Sequence, residues 1–136
     1  MLNKEKPKHR TWFIDLDGTI FKHNKYLENP KLIEKPLPNA LEFMQKIPNE
    51  DAIIFTTGRA KCIRRHVVDS LKKAGIRFDH IIMGLPSGTR ILINDEKPGG
   101  KRSAIAIIVA RDGKHSEYGY HKLSRKLYGL IDRDEV

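Results

Sequence analysis

Cysteine is almost missing from this chain: Cys62 stands alone among 136 residues. No internal disulfide can form, so the fold must rest on burial and hydrogen bonding, as suits a reducing compartment, and a cytoplasmic location is expected. Long apolar runs are missing too. Nothing approaches the roughly 18 consecutive apolar residues that a spanning helix needs, so no membrane partner is expected. The first ten residues, MLNKEKPKHR, are basic with no apolar stretch behind them, and a secretory leader is not expected. Aromatic residues make up 7% and are not interleaved with basic ones. A stacking platform of the kind that single-strand nucleic-acid binders use is therefore disfavoured. His and Cys form no cluster with zinc-ligand spacing. There are no internal repeats and no low-complexity segments.

What is present is positive charge. Lys and Arg number 26 against 17 Asp and Glu, giving a net charge of +9. Residues 1–10 hold four bases and one acid and read as a flexible basic arm. The rest of the excess is spread over residues 11–136, which read as one domain. A positive field favours anionic ligands, whether phosphorylated small molecules or polyanions, although a lysine-rich solvated surface would look the same. Residues 61–77 are the densest part, with Lys61, Arg64, Arg65, Lys72, Lys73 and Arg77 against Asp69 alone.

Along the chain, TWFID (11–15) is a short apolar run and reads as a buried strand. Residues 18–37 mix turn formers with scattered apolar residues and read as a loop or small flap. The segment LPNALEFMQKI has Pro38 near a helix start, places Ala40, Met44 and Ile47 on one face, and ends at Pro48. AIIFT is a second strand. From Ala60 to Ala74 apolar residues recur at helical spacing, and Gly75 closes the helix. HIIM, RILIN and SAIAIIVA read as three further strands, and YHKLSRKLYGLI as a short C-terminal helix. Continuous apolar strands alternating with helices predict an α/β fold: a Rossmann-like three-layer sandwich with a mostly parallel central sheet. In such sheets ligands bind beyond the carboxyl ends of the strands.

Three of those ends carry reactive groups. The first strand ends in Asp15-Leu16-Asp17-Gly18-Thr19, the second in Thr56-Thr57-Gly58-Arg59, and the fourth in Asn94-Asp95-Glu96. Carboxylates suit a hard cation such as Mg²⁺, and a hydroxyl followed by glycine at a helix start suits phosphate. Each piece alone has an ordinary explanation: an Asp-Gly turn, a helix cap at Thr57, a turn at NDEKPGG. Their coincidence at successive strand ends does not.

FIDLDGTI resembles the first motif of the haloacid dehalogenase superfamily, IIFTTGR its second motif and ILINDEKP its acidic fourth, over residues 11–98. The resemblance is to small, capless members. It implies a Mg²⁺-dependent phosphatase that hydrolyses a phosphomonoester through an aspartyl-phosphate. By that resemblance Asp15 is the nucleophile and Asp17 the general acid and base. Thr57 and Gly58 bind the phosphoryl oxygens, with Thr56 as alternative to Thr57. Arg90 balances the developing charge, with Lys97 or Arg59 as alternatives. Asp15, Asp17 (through its carbonyl) and Asp95 hold the metal, with Asn94 or Glu96 assisting. Asn94 departs from the two acids that many relatives carry.

Too few residues separate the motifs for a cap domain, so an open site is expected. That suits a large substrate. A polynucleotide-end phosphatase is one alternative, weakly supported by the basic surface. A non-catalytic phosphate-binding or interaction module of the same fold is another.

Overall fold

The computed structural model describes residues 9–23, 32–113 and Leu127. The expected N-terminal arm through residue 8, the middle of the flap and all but one residue of the expected C-terminal helix lie outside the described residues.

Three strands form: β1 (Thr11–Asp15), β2 (Ala52–Thr56) and β3 (His80–Ile82). They pair in parallel in the order β1-β2-β3. Helix α1 (Ala40–Gln45) lies between the first two strands. Between the second and third, a 3₁₀ turn (Lys61–Ile63) leads into α2 (Arg64–Lys73). Each connection therefore carries the chain back to the amino end of the sheet, as parallel pairing requires. The α/β character and these five elements match the sequence pattern.

The register explains which face is buried. Ile14 pairs with Phe55 and Phe55 with Ile81, and all three are buried. They share a core with Leu16, Ile20, Phe21, Ala40, Phe43, Met44, Val67, Leu71 and Leu127. Ala40 and Met44 reach it from α1, together with Ile47 just beyond that helix, as their spacing predicts. The neighbouring row, Phe13, Ile54 and His80, points to the other face, where Phe13 is 56% exposed. Among the described residues that second face is open, so the third layer of the expected sandwich is not formed by them.

Gly75 ends α2 as the sequence predicts. Its φ of +73° is favourable only to glycine, its amide donates to Lys72 O, and the amide of buried Ile76 donates to Leu71 O. This pattern satisfies two carbonyls of the last turn and turns an apolar side chain back onto the core. At the opposite end of the sheet from the candidate site, buried Asp51 accepts from Trp12 Nε1 at 2.9 Å and from the Arg10 amide at 3.2 Å, tying the starts of β1 and β2 together.

The expected fourth and fifth strands do not form. Residues 90–94 and 103–110 are irregular, with Ile91 83% and Ile93 91% exposed. A run of three or four apolar residues has no strand identity of its own. It becomes a strand when a sheet edge accepts its N–H and C=O groups, and here no described edge does. Pro98-Gly99-Gly100 instead make a tight turn, with Lys97 and Lys101 bridged across it.

Candidate functional site

The chain leaves β1 at Asp15 and curls tightly. Leu16 O accepts the amides of Thr19, Ile20 and Phe21, and the Gly18 amide donates to Phe21 O at 2.7 Å. This loop needs Gly18 for two reasons: its φ is +81°, and a Cβ there would meet the Arg111 side chain at 3.1 Å. Leu16, Ile20 and Phe21 are fully buried beneath the loop, so Asp15 and Asp17 are presented on a fixed base.

The two carboxylates have different surroundings. Asp15 is exposed; the Thr19 hydroxyl donates to it at 3.5 Å, a long contact, and the Leu16 amide donates to it as well. Partial burial, then the charge of Asp17, hold its carboxyl above the ordinary value; the Leu16 amide, the Arg90 charge and Thr19 offset part of that rise. Asp17 is firmly held. Its Oδ2 accepts from Thr57 Oγ1 at 2.8 Å and its Oδ1 from Arg59 Nε at 2.8 Å.

Arg59 is the hub of a buried network. Its two terminal nitrogens donate to Glu34 at 2.6 and 2.9 Å, a bidentate pair. Glu34 also faces His66 Nε2 at 3.0 Å, and the Glu34 amide donates to Ser70 Oγ. The guanidinium lies 5.8 Å from the centre of the buried Phe21 ring. Glu34 thus ties the end of the flap to α2 and, through Arg59, to Asp17. Burial pushes the Glu34 carboxyl up, but the hydrogen bonds and charge of Arg59, then His66, outweigh it and the net shift is downward.

Of the residues singled out in the sequence, Asp15, Asp17, Thr57, Gly58 and Arg59 come together at adjacent strand ends, Arg59 bonded to Asp17. Asp15 stands across from Thr56 in the β1–β2 register, which puts Thr56 beside the pair. Thr57 is fully buried and its hydroxyl is in use, donating to Asp17 and accepting from the Arg59 amide at 3.1 Å. Its position serves Asp17 before any phosphoryl group. Gly58 is exposed, and a Cβ there would meet Leu85 O at 3.2 Å. Arg90 is exposed and held by the carbonyls of Pro86 and Gly88, with its charge felt at Asp15.

Asp95 is different. It lies in the exposed irregular segment with Asn94, Glu96 and Lys97. Among the described residues no three His, Cys, Asp or Glu side chains gather as a metal-binding group. Mg²⁺, however, takes one or two carboxylates together with substrate and water oxygens. Asp15, with its carboxylate exposed, meets that requirement, and the Asp17 carbonyl is the neighbouring backbone oxygen. The Asp17 carboxylate has both oxygens committed elsewhere.

Glu34, His66 and Asp112 carry no local sequence signal of a place in the site. Asp112 closes the loop from the other side: its amide donates to Gly18 O at 2.9 Å and its Oδ1 accepts the His23 amide at 2.6 Å. Its Arg-Asp-Gly setting signals a turn, and Asp112 does adopt a left-handed φ of 57°, but nothing local names its partner.

No family model matches the chain, and no curated protein matches it. Among solved structures it is similar to a structural-genomics target from Vibrio cholerae, at 20% identity and a TM-score of 0.48, over 60% of this chain and 78% of that one. A likeness this distant carries no functional assignment. Among the described residues no helix is long and apolar enough to cross a membrane.

Proposed function

We propose that this chain is a Mg²⁺-dependent phosphomonoesterase of the haloacid dehalogenase type. In this reading it has a capless, Rossmann-like core and works through a phosphorylated Asp15. The observation that carries the reading is the contrast between the two acids: an exposed carboxylate held only by a backbone amide and one long hydroxyl contact, beside one gripped by a hydroxyl and a guanidinium. A nucleophile needs free oxygens. A group that moves a proton needs a fixed position.

In this reading a carboxylate oxygen of Asp15 attacks phosphorus and the ester P–O bond breaks. Asp17 gives its proton to the leaving oxygen. Water then attacks the phosphorus of the aspartyl-phosphate, Asp17 takes a proton from that water, and the P–O bond to Asp15 breaks to release phosphate. Thr57 suits the second stage. Its hydroxyl donates to the Asp17 carboxylate left once the proton has gone to the leaving oxygen, while its oxygen takes the Arg59 amide, and Asp17 is held to receive the proton of the attacking water. Gly58 offers its amide to the phosphoryl oxygens, and Arg90 supplies positive charge near Asp15. Asp15 and the Asp17 carbonyl, with Asp95 as a further candidate, would hold Mg²⁺, whose charge would offset the repulsion between carboxylate and phosphate.

The position of Asp95, outside any three-carboxylate group among the described residues, favours a second reading: a phosphate-binding module without turnover. Hydrolysis of phenyl phosphate with and without chelator separates the two. The phosphatase reading expects Mg²⁺-dependent release of phosphate that is lost in Asp15→Asn. Phosphate binding without release in the wild type would favour the module.

A further inference from the structure

We propose that the cavity beside the end of β3 is a subsite for the substrate's leaving group, one that takes an apolar body carrying a second anionic group, a phosphate or a carboxylate. The proposal rests on the reading of Asp15 as the nucleophile. The cavity has a volume of about 350 Å³ and is lined by Lys61, Arg64, Ile81, Ile82 and Met83. That is room for a body of one or two rings.

Its place in the fold follows from the register. Asp15 stands across from Thr56, and Thr56 across from Ile82. All three side chains leave the same face at the carboxyl ends of their strands. Two strand spacings put Ile82 about 10 Å from Asp15. Arg64 holds Ile81 O on the edge of β3 that faces away from β2, so a leaving group at least two rings long is needed to reach that cation from Asp15.

The lining selects for both halves of the ligand. Ile82, 43% exposed, supplies the open apolar surface of the floor, and Ile81 and Met83, largely buried in the core, border it. Two cations border it. Arg64 spends one nitrogen on Ile81 O at 3.0 Å, which fixes the guanidinium against the floor and leaves its other donors. Lys61 lies along the end of β3, its stem within 3.6 Å of where a Gly84 Cβ would be. Among the described residues neither cation pairs with a carboxylate. Arg65, one residue on, points away, 93% exposed and near Asp69.

A neutral apolar occupant would strip water from two charges and give them no partner. A small hydrophilic leaving group would leave the apolar floor unfilled. An apolar body ending in an anion satisfies both.

The test compares wild type with Lys61→Gln, Arg64→Gln and the double variant. Because Arg64 bonds to β3, Lys61→Gln is the variant that leaves the fold untouched. Biphenyl carboxylate, which contains no phosphorus, probes the subsite alone by titration. Biphenyl phosphate and its para-carboxylated analogue, then an adenosine monophosphate and the matching bisphosphate, probe it during turnover and separate a carboxylate from a phosphate as the second anion. The expected result is binding of biphenyl carboxylate weakened at least tenfold in the double variant and severalfold in Lys61→Gln. The kcat/KM advantage of one or both doubly anionic substrates over their partners should fall in parallel, with phenyl phosphate hydrolysis unchanged. Equal binding by wild type and double variant, or no advantage for either doubly anionic substrate, would overturn the subsite and leave the phosphatase reading standing. Failure to hydrolyse phenyl phosphate would remove that reading, and the leaving-group role with it, even if the carboxylate binds.

Discussion

Thr57 donates its hydroxyl proton to Asp17 and accepts the amide of Arg59, so one buried side chain joins the loop after β2 to the acid after β1. Thr57→Val keeps the shape and removes both bonds. The expected outcome is a stability loss of about 1–3 kcal/mol, from two buried polar groups left without partners. Turnover should fall about a hundredfold or more if Asp17 moves the proton, most for alkyl phosphates whose leaving oxygen needs it. Thr57→Ser should restore most of both; thermal melts and a leaving-group series check this. Glu34 makes a different prediction. Its pKa is lowered in the folded state, so its contribution to stability is full above the ordinary carboxylate range and fades as pH falls through the folded value. Glu34→Gln should cost about 1–3 kcal/mol at neutral pH. The gap to wild type should close in acid, as read by denaturant melts at both pH values. The paired acids, Thr57 and Gly58 were legible in the sequence because strand ends in a parallel sheet are neighbours whatever lies between them. The Glu34–Arg59–His66 network was not. Glu34 is 25 residues from Arg59 and 32 from His66, and no local pattern links them.

Among the elements, α2 and the loops around the sheet show what periodicity can and cannot specify. Helix α2 was legible from its apolar spacing and from Gly75, because both are local. Gly75→Ala would place a Cβ in open space but at a φ of +73°. The expected cost is about 1 kcal/mol, all of it from backbone strain, with activity unchanged; a thermal melt beside a kinetic assay checks it. Gly58→Ala is the contrasting case. Its Cβ would meet Leu85 O at 3.2 Å, so the loop that presents the Gly58 amide must shift. Activity should fall more than stability. The segments 90–94 and 103–110 behave differently. Their apolar runs announce burial, but strand formation depends on which edge receives them, and that is not encoded in the run itself.

For the whole molecule, the net charge of +9 and the cations beside the sheet's carboxyl end set up a long-range attraction for anions. The charge was legible at once. Its focus on a cavity beside exposed Ile82 required the fold. Values of kcat/KM for a doubly anionic substrate should fall severalfold from low salt to physiological salt, while a singly phosphorylated aryl ester changes less, because screening acts on the charge product. Everything functional in this account depends on Asp15 taking up the phosphoryl group. The direct measurement is to quench the wild-type protein in acid during steady-state turnover with Mg²⁺ and map the phosphoryl group by peptide mass spectrometry. The expected result is one acid-stable, hydroxylamine-labile phosphoryl group on Asp15, absent in Asp15→Asn, whose turnover falls at least about a thousandfold. Turnover with no phosphoryl group at Asp15, or a phosphoryl group on another residue, would contradict it.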